Sequence, residues 1–427
     1  MAWPRYKAYK ESGEGWIAKI PEHWELKKLK HIFSEKKHKV NLDLNCGAIS
    51  FGKVVKKDDD KIPHATKASY QEVLQGEFLL NPLNLNYDLI SLRIALSYIN
   101  VVVSAGYIVL RIQKEGIKEY YKYLLHRYDV AYMKLLGSGV RQTINFNHIA
   151  NSILVFPPME EQTTIANFLD QKTTQIDKAI AIKEKQITLL KERKQILIQN
   201  AVTRGLNSDA PMRDSGVEWI GEIPEHWLIK RTKYLFFEVD ERSTDGKEEL
   251  LSVSHITGVT PRSEKNVTMF LAEDYTGSKT CRKDDLVFNI MWAWMGALGV
   301  SDWNGIVSSS YGVFRQLKSD TLNSQYIEYL LKTTGYIEHY NKVSTGLHSS
   351  RLRFYSHMFF NMKLGYPPKN EQDDIVLYIE NESIKIDKAI TLLQQQIEKL
   401  KEYKTTLINS AVTGKIKVIN QNIESAQ

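Results

Sequence analysis

Two stretches of the chain carry the same long helical pattern of apolar and polar residues. Residues 160–203 and 371–413 contain neither Gly nor Pro, and apolar residues recur in both at spacings of 4, 7, 3, 7 and 4. This spacing is typical of a heptad seam with gaps, so each stretch is predicted to be a helix with one apolar stripe. The matching stripe positions are Ile176, Ile180, Ile187, Leu190, Leu197 and Ala201 in the first stretch and Ile386, Ile390, Ile397, Leu400, Leu407 and Ala411 in the second.

Start and stop signals stand at both ends of these stretches. Pro157-Pro158 and Pro367-Pro368 precede them, acidic residues fill the first turns, and Gly205 and Gly414 follow their ends. A helix of ~44 residues is about 66 Å long, and its stripe needs a partner. The twin helix carries the matching stripe, so we expect the two to pair antiparallel within one chain. Pairing between two chains is the alternative.

The helical stretches close the two copies of an internal repeat. Trp-Ile-x-x-Ile-Pro-Glu-His-Trp at 16–24 returns at 219–227, and Pro-Pro-x-x-Glu-Gln at 157–162 returns at 367–372. The ends of each copy match closely, whereas the middle keeps only echoes such as Val-Ser-x-x-Tyr at 103–107 and 307–311. Repeats dictate architecture. This pattern favours two homologous domains that share a scaffold but face different targets.

The interior of each copy reads as β-rich. Aromatic and β-branched runs at 78–80, 98–103, 107–111, 285–288 and 305–307 predict strands, and 117–136 and 322–341 predict shorter helices. The fold class is therefore α+β: a pseudo-two-fold tandem repeat whose two domains are separated by two long antiparallel helices forming an intramolecular coiled coil. The predicted segments are domain 1 at 12–158, a central helix at 159–204, a linker at 205–214, domain 2 at 215–368, a second long helix at 369–414 and a tail at 415–427.

Composition and charge narrow the class of protein. The 427 residues are 43% hydrophobic and 25% charged, as in ordinary soluble proteins, and no apolar run is long enough to span a bilayer. With no signal-peptide core at the start, a cytoplasmic protein is expected. The formal charge is +7, and ten lysines crowd residues 27–61. Such a cluster suits a polyanion, although a solvated lysine face explains it equally well.

Cysteine and histidine spacing gives no metal or disulfide pattern. Cys46 and Cys281 are the only cysteines and do not occupy equivalent repeat positions, so plain thiols are expected. His23 and His226 lack partners at metal-ligand spacing, so no zinc is expected. The run Asp58-Asp59-Asp60-Lys61 is interpreted as a charged loop, because no repeat counterpart exists.

The chain resembles the specificity subunits of type I restriction–modification systems, because the repeated motifs occur twice, in the same order and at the expected separation. The resemblance covers essentially the whole chain. It rests on the Trp-Ile-x-x-Ile-Pro-x-x-Trp opening, Phe-Pro-Pro-x-x-Glu-Gln before the first helix, and the Ala-Val-Thr exits at 201–203 and 411–413. Gly-Ile-Val-Ser-Ser-Ser-Tyr at 305–311 and Gly-Ser-Gly-Val-Arg at 137–141 belong to the same set.

The resemblance implies a non-catalytic subunit that recognises DNA. Each interior would be a target recognition domain reading one half of a split, asymmetric site. The paired helices would set the spacer and dock two adenine-methyltransferase subunits, and restriction subunits with translocase and nuclease activity would join them. No cofactor is expected in this subunit; S-adenosylmethionine, ATP and magnesium would bind the partner subunits. Specificity subunits of other multi-subunit restriction systems, and a stand-alone two-headed DNA-binding scaffold, remain alternatives.

The candidate DNA contacts lie in turns of the two interiors. Glycines let the backbone approach phosphates, hydroxyls donate to phosphate oxygens, and Arg or Gln can reach base edges. A tight turn before a strand is the structural alternative. Trp292 and Trp294 alternate, which favours burial on one face of a strand over the alternative, a position near DNA. The candidates are Ser104, Tyr107, Ser138, Gly139, Arg141 and Gln142 in the first copy and Ser308, Tyr311, Thr345, His348, Ser349, Arg351 and Arg353 in the second.

A catalytic chain is the main competing class. Asn81-Pro82-Leu83-Asn84 lacks the second proline and the aromatic of the Asn-Pro-Pro-aromatic motif of adenine methyltransferases. No glycine-rich cofactor loop follows a clear strand, and no Gly-x-x-x-x-Gly-Lys-Ser/Thr motif is present for ATP. The sequence therefore indicates a DNA-binding protein without an active site of its own.

Overall fold

The computed structural model describes residues 3–50, 52–83, 92–113, 116–133, 144–264, 274–346 and 352–419. The chain forms two compact units. Unit 1 comprises Met1–Lys183 and Gln394–Gln427, and unit 2 comprises Glu184–Leu393. Each unit contains one half of each long helix, since helix α5 spans Met159–Arg204 and helix α9 spans Lys369–Val412.

Unit 1 is built of short strands and four short helices. A four-stranded antiparallel sheet of order β4–β11–β8–β9 lies at its centre, and β1–β2, β3–β12, β5–β6 and β7–β10 form two-stranded pairs. The strands are β1 Tyr9–Glu11, β2 Lys19–Pro21, β3 Glu25–Lys28, β4 Phe33–Glu35, β5 Gly47–Ser50, β6 Lys53–Lys56, β7 Gln71–Val73, β8 Phe78–Leu80, β9 Ile94–Leu96, β10 Val101–Val103, β11 Ile108–Ile112 and β12 Ile153–Phe156. The helices are α1 Leu29–Ile32, α2 His64–Lys67, α3 Lys118–Ala131 and α4 Phe146–Ala150.

Unit 2 repeats this arrangement. Its central sheet has the order β16–β23–β20–β21, and its pairs are β13–β14, β15–β24, β17–β18 and β19–β22. The strands are β13 Met212–Asp214, β14 Glu222–Pro224, β15 Leu228–Arg231, β16 Phe236–Glu238, β17 Leu251–Ser254, β18 Gly258–Pro261, β19 Lys279–Cys281, β20 Leu286–Phe288, β21 Leu298–Val300, β22 Gly305–Val307, β23 Gly312–Gln316 and β24 Lys363–Tyr366. The helices are α6 Ser324–Leu331, α7 Thr334–Val343 and α8 Ser356–Asn361.

The topologies of the two units match strand for strand, including the interiors where the sequence repeat fades. The predicted α+β tandem repeat is confirmed. Two local predictions were wrong in extent. The helix predicted at 322–341 is interrupted at Lys332 and Thr333, and the strand predicted at 98–103 begins only at Val101. There the hydroxyl of Ser97 donates to the carbonyl of Ile99 (2.6 Å), which closes a turn instead of continuing the strand.

The repeated Pro-Pro-x-x-Glu-Gln motif fastens the start of each long helix. Gln162 is fully buried; its amide donates to the Pro157 carbonyl (2.8 Å) and its oxygen accepts from the Ile117 backbone N–H (3.0 Å). In unit 2, Gln372 donates to Pro367 (2.9 Å) and accepts from the Asn323 N–H (2.8 Å). A buried amide must satisfy its polar atoms, which explains why Gln stands at this position in both copies.

The Glu of the same motif holds the opening motif of its own unit. Glu161 accepts hydrogen bonds from the Trp24 Nε1–H (3.0 Å) and the Tyr6 hydroxyl (2.6 Å) and contacts His23 Nε2 (2.5 Å). Glu371 accepts from Trp227 Nε1–H (3.1 Å) and contacts His226 Nε2 (2.7 Å) in unit 2. The repeated His and Trp are thus structural. Trp24 and Trp227 are both core residues.

In unit 1 the two long helices pair antiparallel. Lys183 Nζ donates to Gln396 (2.6 Å) and Lys404 Nζ donates to Asp177 (2.7 Å). Residues later in helix α5 therefore face residues earlier in helix α9. Ile176 and Leu407 are buried in one core cluster, with Ile180 and Leu400 packed against it. Ile397 is also buried. The predicted intramolecular pairing is confirmed for this segment.

In unit 2 the remaining halves of the helices also pair antiparallel. Lys194 Nζ donates to Asp387 (2.7 Å), and residues 197–202 share a core with residues 375–379. Ile386 and Ile390 are buried, whereas Ile187, Leu190 and Leu197 are half-buried. Both helices end as their glycines require: Gly205 and Gly414 have φ of +75° and +72°, the left-handed conformation that terminates helices.

Candidate nucleic-acid interface

The turn between β22 and β23 in unit 2 displays a row of hydroxyls. The Tyr311 N–H donates to the Ser308 carbonyl (2.9 Å), and the Ser308 and Ser310 hydroxyls lie 3.0 Å apart on the exposed surface. Tyr311 itself packs against a small core cluster. Burial raises the pKa of its phenol, so Tyr311 is a neutral group that anchors the turn while the serines face solvent.

Asn289 joins that turn to a second segment. Its Nδ2 donates to the Tyr311 hydroxyl (2.9 Å), and its Oδ1 accepts from the backbone N–H of Met291 (3.2 Å). Asn289 directly follows strand β20, so the chain leaves the central sheet there and continues into residues 290–296. A buried side-chain amide with these partners fixes the position of both segments.

A third segment of unit 2 lies against the second. Thr345 and Arg353 form a backbone pair, with N–H to carbonyl distances of 3.1 and 2.8 Å. The next residue, Phe354, donates its N–H to the Ile290 carbonyl (3.0 Å). The structure therefore brings Ser308, Tyr311, Thr345 and Arg353 onto three connected segments. The candidates His348, Ser349 and Arg351 lie outside the described residues.

Unit 1 has the same backbone framework with different side chains. The Tyr107 N–H donates to the Ser104 carbonyl (3.1 Å), as in the turn at 308–311. Asn81 directly follows strand β8 and accepts a hydrogen bond from the Leu83 N–H (3.1 Å), and the Pro82 carbonyl accepts one from the Ile144 N–H (3.1 Å). These bonds are the counterparts of those at Asn289 and Ile290. The candidates Ser138, Gly139, Arg141 and Gln142 lie outside the described residues.

The lysine cluster of unit 1 separates into buried and exposed members. Lys53 and Lys56 flank strand β6 and are exposed. Lys36 is not part of a surface, contrary to both readings of the cluster. Its ammonium is buried between Glu72 (3.1 Å) and Glu77 (3.0 Å). Burial opposes ionisation of Glu72, yet hydrogen bonds from Lys36, Asn41 and Lys39 lower its pKa to about 2. Lys36, Glu72 and Glu77 therefore belong to the core of the domain.

Trp292 and Trp294 contradict the prediction of a buried strand. Residues Ala293–Met295 form a 3-10 turn, which Gly296 closes at φ +80°. Trp292 is 47% exposed and its ring stacks on that of Trp294, with centroids 5.9 Å apart. Alternate spacing aligns two side chains in a tight turn as well as in a strand. The sequence interpretation preferred burial of Trp292 and did not single out Asn289, which joins two segments of the candidate interface; the Asn that follows both β8 and β20 was the available signal.

Within the described ranges, no group of three or more His, Cys, Asp or Glu side chains is placed to hold a metal ion. Cys46 and Cys281 are buried free thiols. No helix among the described residues combines the length and apolar character needed to cross a bilayer.

The two units share one topology and carry equivalent polar turns, and together they form a tandem-repeat fold. Residues 21–192 match the family model of the type I restriction modification DNA specificity domain. The type I restriction enzyme MjaVIII specificity subunit of Methanocaldococcus jannaschii is 25% identical over 302 residues, which are 67% of either chain. The family match and the curated relatives support the assignment of the chain as a specificity subunit of a type I restriction–modification system, a subunit that recognises DNA sequence.

Solved structures share the whole fold. A chain from a study of complex assembly and conformational transition of the type I R-M system has a TM-score of 0.65 at 14% identity, covering 92% of this chain and 98% of that one. The HsdS subunit from Thermoanaerobacter tengcongensis has a TM-score of 0.52 at 14% identity, covering 95% and 100%. At this identity the likeness concerns the fold.

Proposed function

We propose that unit 1 and unit 2 each read one half of a bipartite, asymmetric DNA site. The observation that carries this proposal is the repetition of one backbone framework with unlike side chains on its surface. The turns at 104–107 and 308–311 are alike, whereas Leu83 follows the Asx turn in unit 1 and Met291-Trp292 follow it in unit 2. Equal frameworks with unequal surfaces suit two different half-sites.

The side chains of each surface divide by the chemistry they offer. Exposed serine hydroxyls at 308–310 and the lysines of β6 can bind phosphate oxygens and so position the duplex. Arg353 can donate two parallel hydrogen bonds to guanine in the major groove. Sequence discrimination would then come from Arg353 and its neighbours, while Lys53 and Lys56 contribute affinity that falls with salt.

We also infer that the paired helices set the spacer between the half-sites and dock two adenine-methyltransferase subunits. Helix α5 leaves large apolar side chains in solvent: Ile182 in unit 1, and Leu189 and Ile196, seven residues apart, in unit 2. Exposed apolar residues at heptad spacing suit a helical protein partner. S-adenosylmethionine, ATP and magnesium would bind to methyltransferase and restriction subunits and not to this chain.

Methylation mapping tests the reading function. DNA from cells that express this chain with its methyltransferase subunits is expected to carry one adenine-methylated motif of two unlike halves. Exchange of residues 12–158 for the corresponding domain of another subunit is expected to change one half only. Changes in both halves, or in neither, would contradict the proposal. An autonomous scaffold would give no methylated motif.

Co-purification tests the docking function. Replacing Leu189 and Ile196 together by Glu is expected to abolish co-purification with the methyltransferase, because two charges would be buried in an apolar interface. Gln186→Glu is the matched control, since Gln186 is exposed on the same helix and its substitution adds a charge without removing apolar surface. Undiminished co-purification of the double variant would rule out this docking surface.

A further inference from the structure

Trp292 is a large apolar side chain that the candidate interface of unit 2 leaves exposed to solvent. Removing an indole from water is favourable, and 47% of this one remains exposed. Isolated exposed apolar residues are common on proteins and need no explanation by themselves. Trp292 differs because its surroundings hold it in place and because it lies beside the proposed DNA contacts.

The turn around Trp292 is rigid before any ligand binds. Trp294 Nε1–H donates to the Met291 carbonyl (3.0 Å), which fixes the ring that Trp292 stacks upon at an interplanar angle of 29°. Asn289 holds the Met291 N–H from the other side (3.2 Å). A preorganised aromatic side chain loses little conformational entropy on binding, which is typical of recognition residues.

The same turn is joined to both predicted contact segments. Asn289 links it to Tyr311, and the Ile290 carbonyl links it to Phe354, the residue after Arg353. DNA bound at Ser308 and Arg353 would therefore lie beside Trp292. The segment beside this turn carries the positively charged Arg353. A nucleic acid, which is negatively charged and has apolar groups on its bases, is therefore the ligand that suits the exposed indole.

We propose that Trp292 determines specificity by apolar contact with the C5-methyl group of a thymine in the half-site read by unit 2. The inference rests on the proposed function. An indole carries no positive charge, and contact with an apolar group of a base uses its exposed apolar ring, whereas a phosphate contact would use only its N–H. One face of the ring is covered by Trp294, and insertion between base pairs needs both faces. The part left free can pack against a methyl group in the major groove.

Deoxyuridine substitution tests the contact directly. The probes are duplexes carrying the motif mapped for the wild-type complex, with each thymine of the unit 2 half-site changed in turn to deoxyuridine. This change removes one methyl group and leaves base pairing intact. At one of these positions we expect the affinity of the wild-type complex to fall about 3- to 5-fold, which corresponds to the free energy of burying one methyl or methylene group. Domain exchange identifies which half-site unit 2 reads.

Three variants of the full chain, each in complex with the methyltransferase, complete the test. Trp292→Ala is expected to bind the thymine duplex as weakly as the wild type binds the deoxyuridine duplex. Its affinity should not change when that thymine is replaced by deoxyuridine. Trp292→Phe keeps an apolar ring but has no N–H, and its affinity is still expected to fall when the thymine is replaced by deoxyuridine. Trp303→Ala is the matched control, because Trp303 is similarly exposed (43%) on the turn between β21 and β22.

The inference is overturned if no thymine of that half-site responds, if Trp292→Ala remains sensitive, or if Trp292→Phe becomes indifferent. An equal response in Trp303→Ala and Trp292→Ala would also overturn it. Failure of the proposed function has a different signature, since the wild-type complex would then show no bipartite methylated motif. Unchanged thermal melting of Trp292→Ala is expected and excludes unfolding as the cause of lost binding.

Discussion

Replacing Glu161 by Gln separates the role of charge from the role of shape at the start of α5. The Oε2 atom of Glu161 accepts from Tyr6 (2.6 Å) and Trp24 (3.0 Å), and Oε1 contacts His23 Nε2 (2.5 Å). A Gln side chain can place its oxygen at the Oε2 position. Its amide then donates to His23 in the tautomer that carries hydrogen on Nδ1. All three contacts survive, without the charge.

The expected magnitudes follow from this geometry. Hydrogen bonds to charged groups contribute about 1.5–3 kcal/mol and neutral ones about 0.5–1.5 kcal/mol. At pH 7, Glu161→Gln should therefore lower the free energy of unfolding by about 1 kcal/mol. Glu161→Ala also leaves the buried Trp24 N–H without an acceptor, which adds about 1–3 kcal/mol. We expect a total loss of roughly 3 kcal/mol for Ala.

The effect of pH has a definite sign. Burial pushes the pKa of Glu161 upward, but hydrogen bonds from Tyr6, His23 and Trp24 prevail and hold it below its ordinary value. The folded pKa is thus lower than the unfolded pKa of about 4.3. Ionisation of Glu161 stabilises the fold fully above the unfolded pKa, and this stabilisation is lost as pH falls through the folded pKa. Wild type and Glu161→Gln should converge in acid.

Unfolding of the full chain between pH 3.5 and pH 8 measures both effects. Glu371→Gln is the matched control in unit 2, and its loss should be smaller, because among the described residues Glu371 receives side-chain hydrogen bonds only from His226 and Trp227. The reasoning is refuted if Glu161→Gln and Glu161→Ala are equally unstable at pH 7. It is also refuted if the difference between wild type and Glu161→Gln stays constant into acid.

Two further predictions concern stability. Asp285→Ala should lower the free energy of unfolding by about 3 kcal/mol in urea titrations. Arg315 donates two hydrogen bonds to the buried Asp285 carboxylate (2.7 and 2.8 Å) and would keep only its longer contact with the exposed Glu241 (3.5 Å). A loss below ~1 kcal/mol would contradict this. Gly414→Ala should lower the melting temperature more than Gly205→Ala, although both glycines have a positive φ. A Cβ at Gly414 would overlap the Pro21 ring, whereas a Cβ at Gly205 would make only a tight contact with the Glu371 carboxylate, 3.0 Å away. Equal losses would contradict this prediction.

The sequence predicted the long helices because their determinants are local and repeated. Pro158 and Pro368 limit each start, Gly205 and Gly414 end each helix in a left-handed conformation, and the apolar stripe fixes the paired face. The internal match between copies identified the tandem architecture for the same reason. These signals need no knowledge of distant contacts.

The interiors could be predicted only in part. Equivalent strands of the two units occupy the same position in the sheet, but their sequences are not similar. Strand β8 reads Phe-Leu-Leu where β20 reads Leu-Val-Phe, and either trio is apolar enough to be buried on both faces. Burial of Lys36 depended on Glu72 and Glu77, which lie more than thirty residues away. Trp292 is exposed at the start of a 3-10 turn that Gly296 closes with a positive φ, and alternate spacing does not distinguish such a turn from a strand. The proposed DNA contacts remain predictions.

The discontinuity of unit 1 bears on the order in which the protein is made. Its core includes Ala411 and Val412, the Tyr120 hydroxyl donates to the Val412 carbonyl (3.0 Å), and the Lys417 N–H donates to the Pro4 carbonyl (2.7 Å). Unit 2 is one uninterrupted segment and can fold as soon as it leaves the ribosome. The residues synthesised first must therefore wait for those synthesised last, and a chain that stalls before Gln394 would present a finished unit 2 beside an open unit 1, a target for chaperones and proteases.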